Sequence, residues 1–247
     1  MKLLVCISQT PDTTANISFK EDNTAFNPDG VQFIMNPYDE WYALVRALEL
    51  KEATGDGTVT VLNVGPATND AVIRKGLAIG ADDAVRIDAE ATSANYVAKQ
   101  IAEYAKDKGY DAIFFGKETI DFNGAIVPSM VAEYLDLPFV SLAQHMEVNG
   151  NTATLKRDIE GGVEVLSVDF PFVLSAAKGL AEQRIPNMKG IMMSRRKPLN
   201  VVPAADVPNP VEVVHFEKPP AKSAVKLIDP DNMDELVNLL HNEAKVI

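Results

Sequence analysis

The sequence predicts an α/β fold: an open, mostly parallel sheet with helices on both faces, followed by an antiparallel extension and a C-terminal arm. Apolar strands alternate with amphipathic helices over residues 1–138, and this alternation is typical of parallel strands joined by right-handed crossovers. From Phe139 the apolar residues follow the period of antiparallel strands. Residues 200–222 are rich in proline, which favours an extended arm.

Four short apolar runs in the first half are predicted to be strands because turn residues or polar loops bound them. In chain order they cover residues 3–8, 58–64, 84–87 and 112–115. A Gln-Thr-Pro-Asp loop follows the first, Gly65-Pro66 closes the second and Gly116 ends the fourth. The polar residues 9–30 are expected to form a long irregular loop.

Four helices are predicted from capping residues and from apolar positions three or four residues apart. Asn36 and Pro37 open the first helix as its N-cap and first-turn residue. Its apolar stripe consists of Trp41, Leu44, Val45 and Leu48. The other three helices cover residues 69–79 with Gly80 after the end, a segment from the cap Ser93 to about Gly109, and residues 123–135.

The antiparallel extension is predicted from alternating runs joined by turn signals. The three runs are residues 146–148, 152–156 and 163–168, with Asn149-Gly150 and Gly161-Gly162 as turns. A final amphipathic helix is predicted over residues 231–244. We therefore expect one domain over residues 1–199, and an arm and helix over residues 200–247 that lie on a partner subunit.

Composition argues against several classes of protein. A net charge of −12 does not suit sequence-independent binding of nucleic acid. One cysteine and three scattered histidines predict neither a disulfide framework nor a metal site. No apolar run approaches the roughly 18 residues of a membrane span, and the run at residues 3–7 is too short for a signal peptide. We expect a cytoplasmic protein, with a mitochondrial matrix protein that has lost its presequence as the alternative.

Three loops that follow neighbouring strands are the predicted ligand site, at residues 6–12, 65–67 and 116–124. Ligands of open parallel sheets bind beyond the carboxyl ends of the strands, where helix N-termini can hold phosphate through backbone N–H groups. The chain lacks both GxGxxG and GxxxxGK[ST], which disfavours a Rossmann dinucleotide site and a P-loop. The residues alone leave two alternatives: a nucleotide site, or a structural role in which Asn36 only caps a helix. No catalytic arrangement is predicted.

The motifs of residues 154–199 resemble those of the β (small) subunit of electron transfer flavoproteins. That family reads roughly R-E-I-D-G-G, L-P-A-V, L-N-E-P-R-Y-P and I-M-K-A-K-K-K-P. This chain has R-D-I-E-G-G from Arg157, F-P-F-V from Phe170, L-A-E-Q-R-I-P from Leu180 and I-M-M-S-R-R-K-P from Ile191. Length and motif order also fit, and the resemblance implies a sheet of the adenine-nucleotide α-hydrolase-like kind.

The resemblance implies an adenine nucleotide in this subunit, usually AMP. The matching segments are the strand end at Cys6, M-N-P-Y-D-E at residues 35–40, N-V-G-P at residues 63–66 and G-K-E-T-I-D-F-N-G-A-I-V at residues 116–127. Asn36 is implied to face the nucleotide, and residues 64–66 to line it with backbone. The implied cofactor-binding residues are Cys6, Asn36, Val64, Gly65, Pro66, Thr119, Asp121, Asn123, Gly124, Ala125, Ile126 and Val127.

The chain departs from the family in three places. Residues 124–127 replace polar residues of many members, Phe122 stands where Gly or Asp is usual, and Ser8 replaces a lysine. Phosphate binding is therefore expected to depend on main-chain N–H groups and Asn123. Electron-bifurcating relatives bind a second FAD and show N-P-Y-D-x-Y-A and G-I-M, which residues 36–43 and 190–192 resemble. AMP is the first prediction, and a second FAD with NADH oxidation is the alternative.

The resemblance also implies a dehydrogenase-docking segment, residues 180–197. Alignment on Arg184 and on the basic run at residues 195–197 puts Met188 in the place of a leucine anchor, with Ile191 beside it. Asp158 is implied to steady this segment. Without the resemblance, Met188, Met192 and Met193 could be core residues or part of an adaptable binding surface, and the basic run could be a solvated patch.

The function implied is that of an electron carrier. The chain would pair with a larger α subunit, help to hold the FAD of that subunit, and pass electrons from flavin dehydrogenases such as acyl-CoA dehydrogenases toward a quinone-linked acceptor. The redox chemistry would be that of the cofactor. Two alternatives from other classes are a free-standing adenine-nucleotide-binding module and a nucleotide hydrolase. The second is weakened because no metal or nucleophile motif is present.

Overall fold

The computed structural model describes residues 1–20, 22–37, 39–222 and 224–247. The strands of its main sheet are β1 (Lys2–Cys6), β6 (Thr58–Val64), β7 (Asp83–Asp88), β8 (Ala112–Gly116), β9 (Phe139–Ala143), β13 (Phe172–Ala176) and β14 (Leu199–Pro203). The smaller sheets contain β2 (Gln9–Pro11), β3 (Phe19–Lys20), β4 (Ala25–Phe26), β5 (Phe33–Met35), β10 (His145–Asn149), β11 (Thr152–Ile159) and β12 (Gly162–Asp169). The helices are α1 (Asp39–Thr54), α2 (Asp70–Ile79), α3 (Ala94–Ala105), α4 (Val127–Leu135), α5 (Met188–Ser194) and α6 (Met233–Asn238).

The seven strands of the main sheet lie in the order β14-β7-β6-β1-β8-β13-β9, and every pair is parallel. The chain starts at the centre, adds β6 and β7 on one side of β1, and then places β8 on the other side. This reversal puts a topological switch point between the carboxyl ends of β1 and β8, where ligands of such sheets bind. The predicted α/β fold with an open parallel sheet is confirmed.

Two apolar cores cover the two faces of the sheet. Leu3 and Val5 belong to the core that packs α1 and α2, and Leu4 belongs to the core that packs α3 and α4. These three side chains are fully buried. Consecutive residues of a strand point to opposite faces, so a continuous apolar strand is stable here only because helices cover both sides.

Several predicted elements are confirmed. The strand over residues 58–64 has the predicted bounds as β6, and the antiparallel extension is the meander β10-β11-β12. Ser93 caps α3, since its hydroxyl accepts a hydrogen bond from the Tyr96 N–H at 3.2 Å. The predicted C-terminal helix is α6, which continues as a π-helical turn over Leu239–Glu243.

Other elements differ from the prediction. The change to antiparallel strands is not complete at Phe139, because β9 and β13 are parallel strands of the main sheet on either side of the meander. Residues 200–203, placed in the arm by the prediction, are part of β14 and pair with β7. Helix α4 begins at Val127 and not at residue 123, since Asn123 and Ala125 have positive φ angles of 49° and 54°. The polar residues 9–30 contain the hairpin β3–β4.

The described ranges contain neither a candidate membrane-spanning helix nor a candidate metal site. None of the helices in those ranges combines the length and apolar character needed to cross a membrane. Within the same ranges, no three His, Cys, Asp or Glu residues are grouped so that they could hold a metal ion.

Candidate functional site

The carboxyl ends of β1 and β8 meet at a buried carboxylate, that of Glu40 in the first turn of α1. The Ser8 N–H, just beyond β1, donates a hydrogen bond of 2.7 Å to Glu40 Oε2. Gly116, at the end of β8, lies so close that a Cβ there would be 2.7 Å from Glu40 Cγ. Only glycine allows this approach, so Glu40 connects the two strand ends at the switch point.

The environment of Glu40 favours its neutral form. Burial raises the pKa of this carboxyl well above its ordinary value, and the nearby Asp121 raises it further. The hydrogen bonds from Ser8 and Asn36 act in the opposite direction. Burial also raises the pKa of the Cys6 thiol, so Cys6 lines this region as an apolar group and not as a reactive thiolate.

Asn36 is fully buried and fastens the loop between β8 and α4. Its Nδ2 donates to the Glu118 carbonyl at 2.8 Å, and its Oδ1 accepts from the Ile120 N–H at 3.0 Å. Helix α1 is described from Asp39 onward, and the Asn36 side-chain oxygen binds the loop; its predicted role as the helix cap depends on Tyr38 and stays a prediction. Tyr38 of the predicted motif lies outside the described residues.

The loop of residues 117–126, which we call the 117–126 loop, presents its tip to solvent. The tip residues Asp121, Asn123, Gly124, Ala125 and Ile126 are exposed, whereas Thr119 and Val127 are partly buried. The Asn123 N–H donates to the Thr119 carbonyl at 2.8 Å. No side chain caps α4, so N–H groups of its first turn can bind an external acceptor. Phe122 is 73% exposed and adds an apolar surface beside them.

A second polar network fixes the end of β6, where Val64, Gly65 and Pro66 were predicted to line the ligand. Asn63 Nδ2 donates to the Ile7 carbonyl at 2.9 Å, and Asn69 Nδ2 donates to Asn63 Oδ1 at 2.9 Å. A Cβ on Gly65 would collide with the Asn69 side chain. This network joins the loop after β6 to the loop after β1, so the two predicted loops are neighbours.

Arg86 extends this network from β7. Its guanidinium is buried and donates to the Gly65 carbonyl at 3.0 Å and to Asp70 Oδ1 at 2.8 Å, and it also pairs with Asp88. The hydrogen bonds and charges of Asp88 and Asp70 raise the pKa of Arg86, although burial opposes them as the largest single cause. A buried cation is stable here because both carboxylates and a carbonyl compensate it.

Sequence reasoning missed four residues that organise these loops: Glu40, Asn63, Asn69 and Arg86. A signal existed for two of them, since Asn63 and Arg86 interrupt otherwise apolar strands. Buried polar groups need partners, and such interruptions therefore indicate a local network. The structure thus assembles the predicted loops at one edge of the sheet, with Asn36 and Asn63 as their links.

The predicted docking segment, residues 180–197, is attached to the C-terminal ends of α1 and α2. Arg184 makes two hydrogen bonds to the Glu52 carboxylate, at 2.7 and 2.9 Å. Asn187 caps α5 by accepting from the Gly190 N–H at 2.8 Å. A Cβ on Gly190 would collide with the Ala78 carbonyl, so α5 packs closely on the end of α2.

Lys197 belongs to this attachment. Its ammonium donates to the Leu77 and Gly80 carbonyls at 3.0 and 3.2 Å, where a cation stabilises the C-terminal end of α2. Burial lowers the pKa of Lys197. Arg74 donates to the Ser194 and Lys197 carbonyls at 2.7 and 2.6 Å. Interpreting the whole basic run as a solvated patch is therefore wrong for Lys197, while Arg195 and Arg196 are exposed.

The outer side of α5 is apolar and exposed. Met188 is 74% exposed and Met192 is 68% exposed, and Ile191 and Met193 are also accessible. The alternative that these methionines fill the core is therefore wrong. Asp158 is on β11, where its carboxylate accepts from Gln144 Nε2 at 2.8 Å; its role in steadying the segment stays a prediction. Four exposed apolar side chains on a firmly attached helix form a surface suited to another protein.

The pH dependence of stability should report the buried Glu40. A raised folded-state pKa means that its contribution is complete below the ordinary value of 4.5 and is lost as the pH rises through the folded value. Glu40→Gln stays neutral and keeps an acceptor for Ser8. Between pH 4.5 and the folded pKa of Glu40, the unfolding free energy of the unaltered protein should therefore fall relative to that of Glu40→Gln. The difference should grow by up to about 1.4 kcal/mol per pH unit.

Urea unfolding at several pH values measures this difference. Glu52→Gln is the matched control, and its stability should change with pH in the opposite direction. The reason is that the hydrogen bond from Arg184 lowers the pKa of Glu52. Its contribution is present above pH 4.5 and disappears as the pH falls. Parallel pH profiles for the unaltered protein and Glu40→Gln would contradict the assigned neutral state.

Comparison with known proteins gives consistent matches along the chain. The family model described as "Electron transfer flavoprotein domain" matches residues 24–207, which include the 117–126 loop and the docking segment. Electron transfer flavoprotein subunit beta of Bacillus subtilis (strain 168) is 35% identical and covers 100% of both chains. The protein of the same name from Syntrophomonas wolfei is 34% identical over 100% of this chain and 98% of the relative. That of Bos taurus is 30% identical over 91% of each.

Proposed function

The chain belongs to the electron transfer flavoprotein family as a β subunit, and we propose that it binds AMP at the switch point and carries electrons between flavoenzymes in the cytoplasm. A β subunit of this family is an electron-carrier subunit that works with an α subunit, and not a catalytic enzyme by itself. The proposal adds the nucleotide, the electron donors and the acceptor to that family role.

The nucleotide proposal depends on one observation above all. Asn36 holds the exposed 117–126 loop at the switch point, and this loop leads into the N-terminus of α4, which no side chain caps. Phosphate suits the first-turn N–H groups of α4. Asn63 joins the loop after β6 to the loop after β1, and Glu40 joins the loop after β1 to the end of β8. We propose that Cys6 and the backbone of residues 64–66 line the nucleotide, and that residues 119–127 hold its ribose and phosphate.

The electron donors in this proposal are flavin dehydrogenases, with acyl-CoA dehydrogenases of fatty acid oxidation as the main example. Support comes from α5, whose exposed apolar residues are carried by a helix that Arg184 and Lys197 attach to the domain. Interface anchors are effective when their support is rigid. The acceptor would be a quinone-linked protein.

The α subunit is proposed to supply the redox FAD and to cover the C-terminal arm. Beyond residue 203 the arm exposes many apolar side chains, among them Val225 at 82% and Leu227 at 89%. Exposed apolar side chains spread along an extended arm suit contact with a partner protein. We propose that this subunit also helps to hold the FAD of that partner.

Cofactor content tests the nucleotide proposal directly. The chain and its α subunit are produced together, the complex is denatured, and released FAD and AMP are quantified by chromatography. We expect equal amounts of FAD and AMP, and no flavin bound tightly to the isolated chain. Twice as much FAD as complex, with no AMP, would replace the proposal by the electron-bifurcating alternative, in which this subunit binds a second FAD and NADH is oxidised.

A further inference from the structure

The arm is attached to the domain at a first point directly after β14. Gln100, a buried residue of α3, donates from Nε2 to the Ala205 carbonyl at 2.9 Å. The Ala205 N–H donates to Gln100 Oε1 at 2.8 Å. One side-chain amide thus satisfies both backbone groups of Ala205, as a neighbouring strand would do.

Asn209 extends this attachment to the start of α3. Its Oδ1 accepts from the Ser93 hydroxyl at 3.0 Å, and its Nδ2 donates to the Thr92 hydroxyl. The helix of a parallel βαβ unit starts beyond the carboxyl end of its strand, so this contact brings the arm to the edge of the sheet that contains the predicted loops.

The arm has a second attachment on the hairpin β3–β4, which lies in the chain segment between β1 and α1. The Phe216 ring stacks on the Phe19 ring with centroids 4.9 Å apart and planes 8° apart. The Phe216 N–H donates to the Asn23 carbonyl at 2.8 Å. Stacked aromatic pairs stabilise beyond the area that they bury, so this is a specific contact.

The residues between these attachments are exposed. Val211, Val213 and Val214 lie there, with Val214 at 80% exposure. An extended chain from Asn209 to Phe216 spans at most about 25 Å. The segment therefore connects the start of α3 to the hairpin β3–β4, and its apolar side chains are exposed to solvent.

We propose that residues 204–217 form a strap that is fixed at both ends before any partner binds, with the Phe216–Phe19 stack as its far attachment. The strap holds Val211, Val213 and Val214 exposed for contact with the α subunit. An interface segment that is ordered in advance loses less entropy on binding. The strap itself depends only on contacts within this chain; its use in assembly rests on the proposed function.

The attachment is tested on the full-length chain by hydrogen exchange. Phe216→Ala should raise the exchange of the amide at position 216, which donates to the Asn23 carbonyl, about tenfold, the order of effect expected for a lost aromatic pair. Phe19→Ala should give the same result from the other side of the stack. Val165→Ser is the control and should leave exchange at position 216 unchanged, because Val165 is exposed on β12, outside the strap. Unchanged exchange in both phenylalanine variants would overturn the far attachment.

The use of the strap is tested by binding to the α subunit. Phe216→Ala should weaken association about tenfold, since the strap must then be ordered during binding. Faster exchange with unchanged association would overturn the role in assembly. Failure of the unaltered chain to bind the α subunit would instead contradict the proposed function, and the exchange result would still decide whether the strap is fixed.

Discussion

Met188→Ala should slow electron transfer from a flavin dehydrogenase without affecting folding or flavin content. Truncating an apolar anchor that fills a partner pocket typically costs about 2 kcal/mol or more, which is roughly a thirty-fold loss of affinity. Met188 is three-quarters exposed in the free chain, so its truncation leaves no cavity. The measurement is the rate of dehydrogenase-dependent flavin reduction in the α–β complex at subsaturating concentrations.

Two other substitutions are the controls for this variant. Val165→Ala truncates an exposed apolar side chain on β12, outside α5 and outside the arm, so reduction by the dehydrogenase should be normal. Met146→Ala removes a buried side chain and should lower stability by about 2–5 kcal/mol. If Met188→Ala instead lowers the melting temperature and leaves the reduction rate unchanged, Met188 is not a docking residue.

Asn36→Ala should affect both stability and nucleotide retention. The substitution leaves the Glu118 carbonyl and the Ile120 N–H without the side-chain partners that they have now. Each unsatisfied buried group costs about 1–3 kcal/mol. We expect a loss of about 2–4 kcal/mol in unfolding free energy, since water reaches part of the loop. The loosened 117–126 loop should also retain less AMP after purification.

Urea unfolding with and without added AMP separates the two effects. Saturating AMP should restore only the part that comes from binding. Asn242→Ala is a matched control, because Asn242 is exposed and pairs only with Asn238 in the described contacts. Lost stability with full AMP occupancy would show that Asn36 supports the fold and not the site.

The sequence was a sufficient guide to the fold where local patterns and tertiary packing agree. Residues 58–64 form β6 with the expected bounds because seven residues of strand pattern end at Gly65-Pro66. The parallel strands β9 and β13 were not recognised, since the meander that separates them in the chain is more conspicuous than either strand. Their place in the sheet depends on pairing with distant strands, which a local pattern does not record.

The site was predicted as loops but not as a network. Asn36 was recognised as important, yet a helix start and a loop attachment both suit asparagine, and only the fold shows that Glu118 and Ile120 are within its reach. The sequence alone likewise does not show that Gly116 lies close to Glu40. Strand order brings these residues together, although about eighty positions separate them in the chain.

The late position of β14 in the chain affects how the protein folds while it is being synthesised. Strand β7 is complete at Asp88, but β14, which covers its free edge, begins only at Leu199. At about 5–20 residues per second, a ribosome needs roughly 5–20 s to make the intervening chain. During that time β7 is an open edge able to pair with other nascent chains. Its charged residues Asp83, Arg86 and Asp88 make such pairing less favourable until β14 arrives.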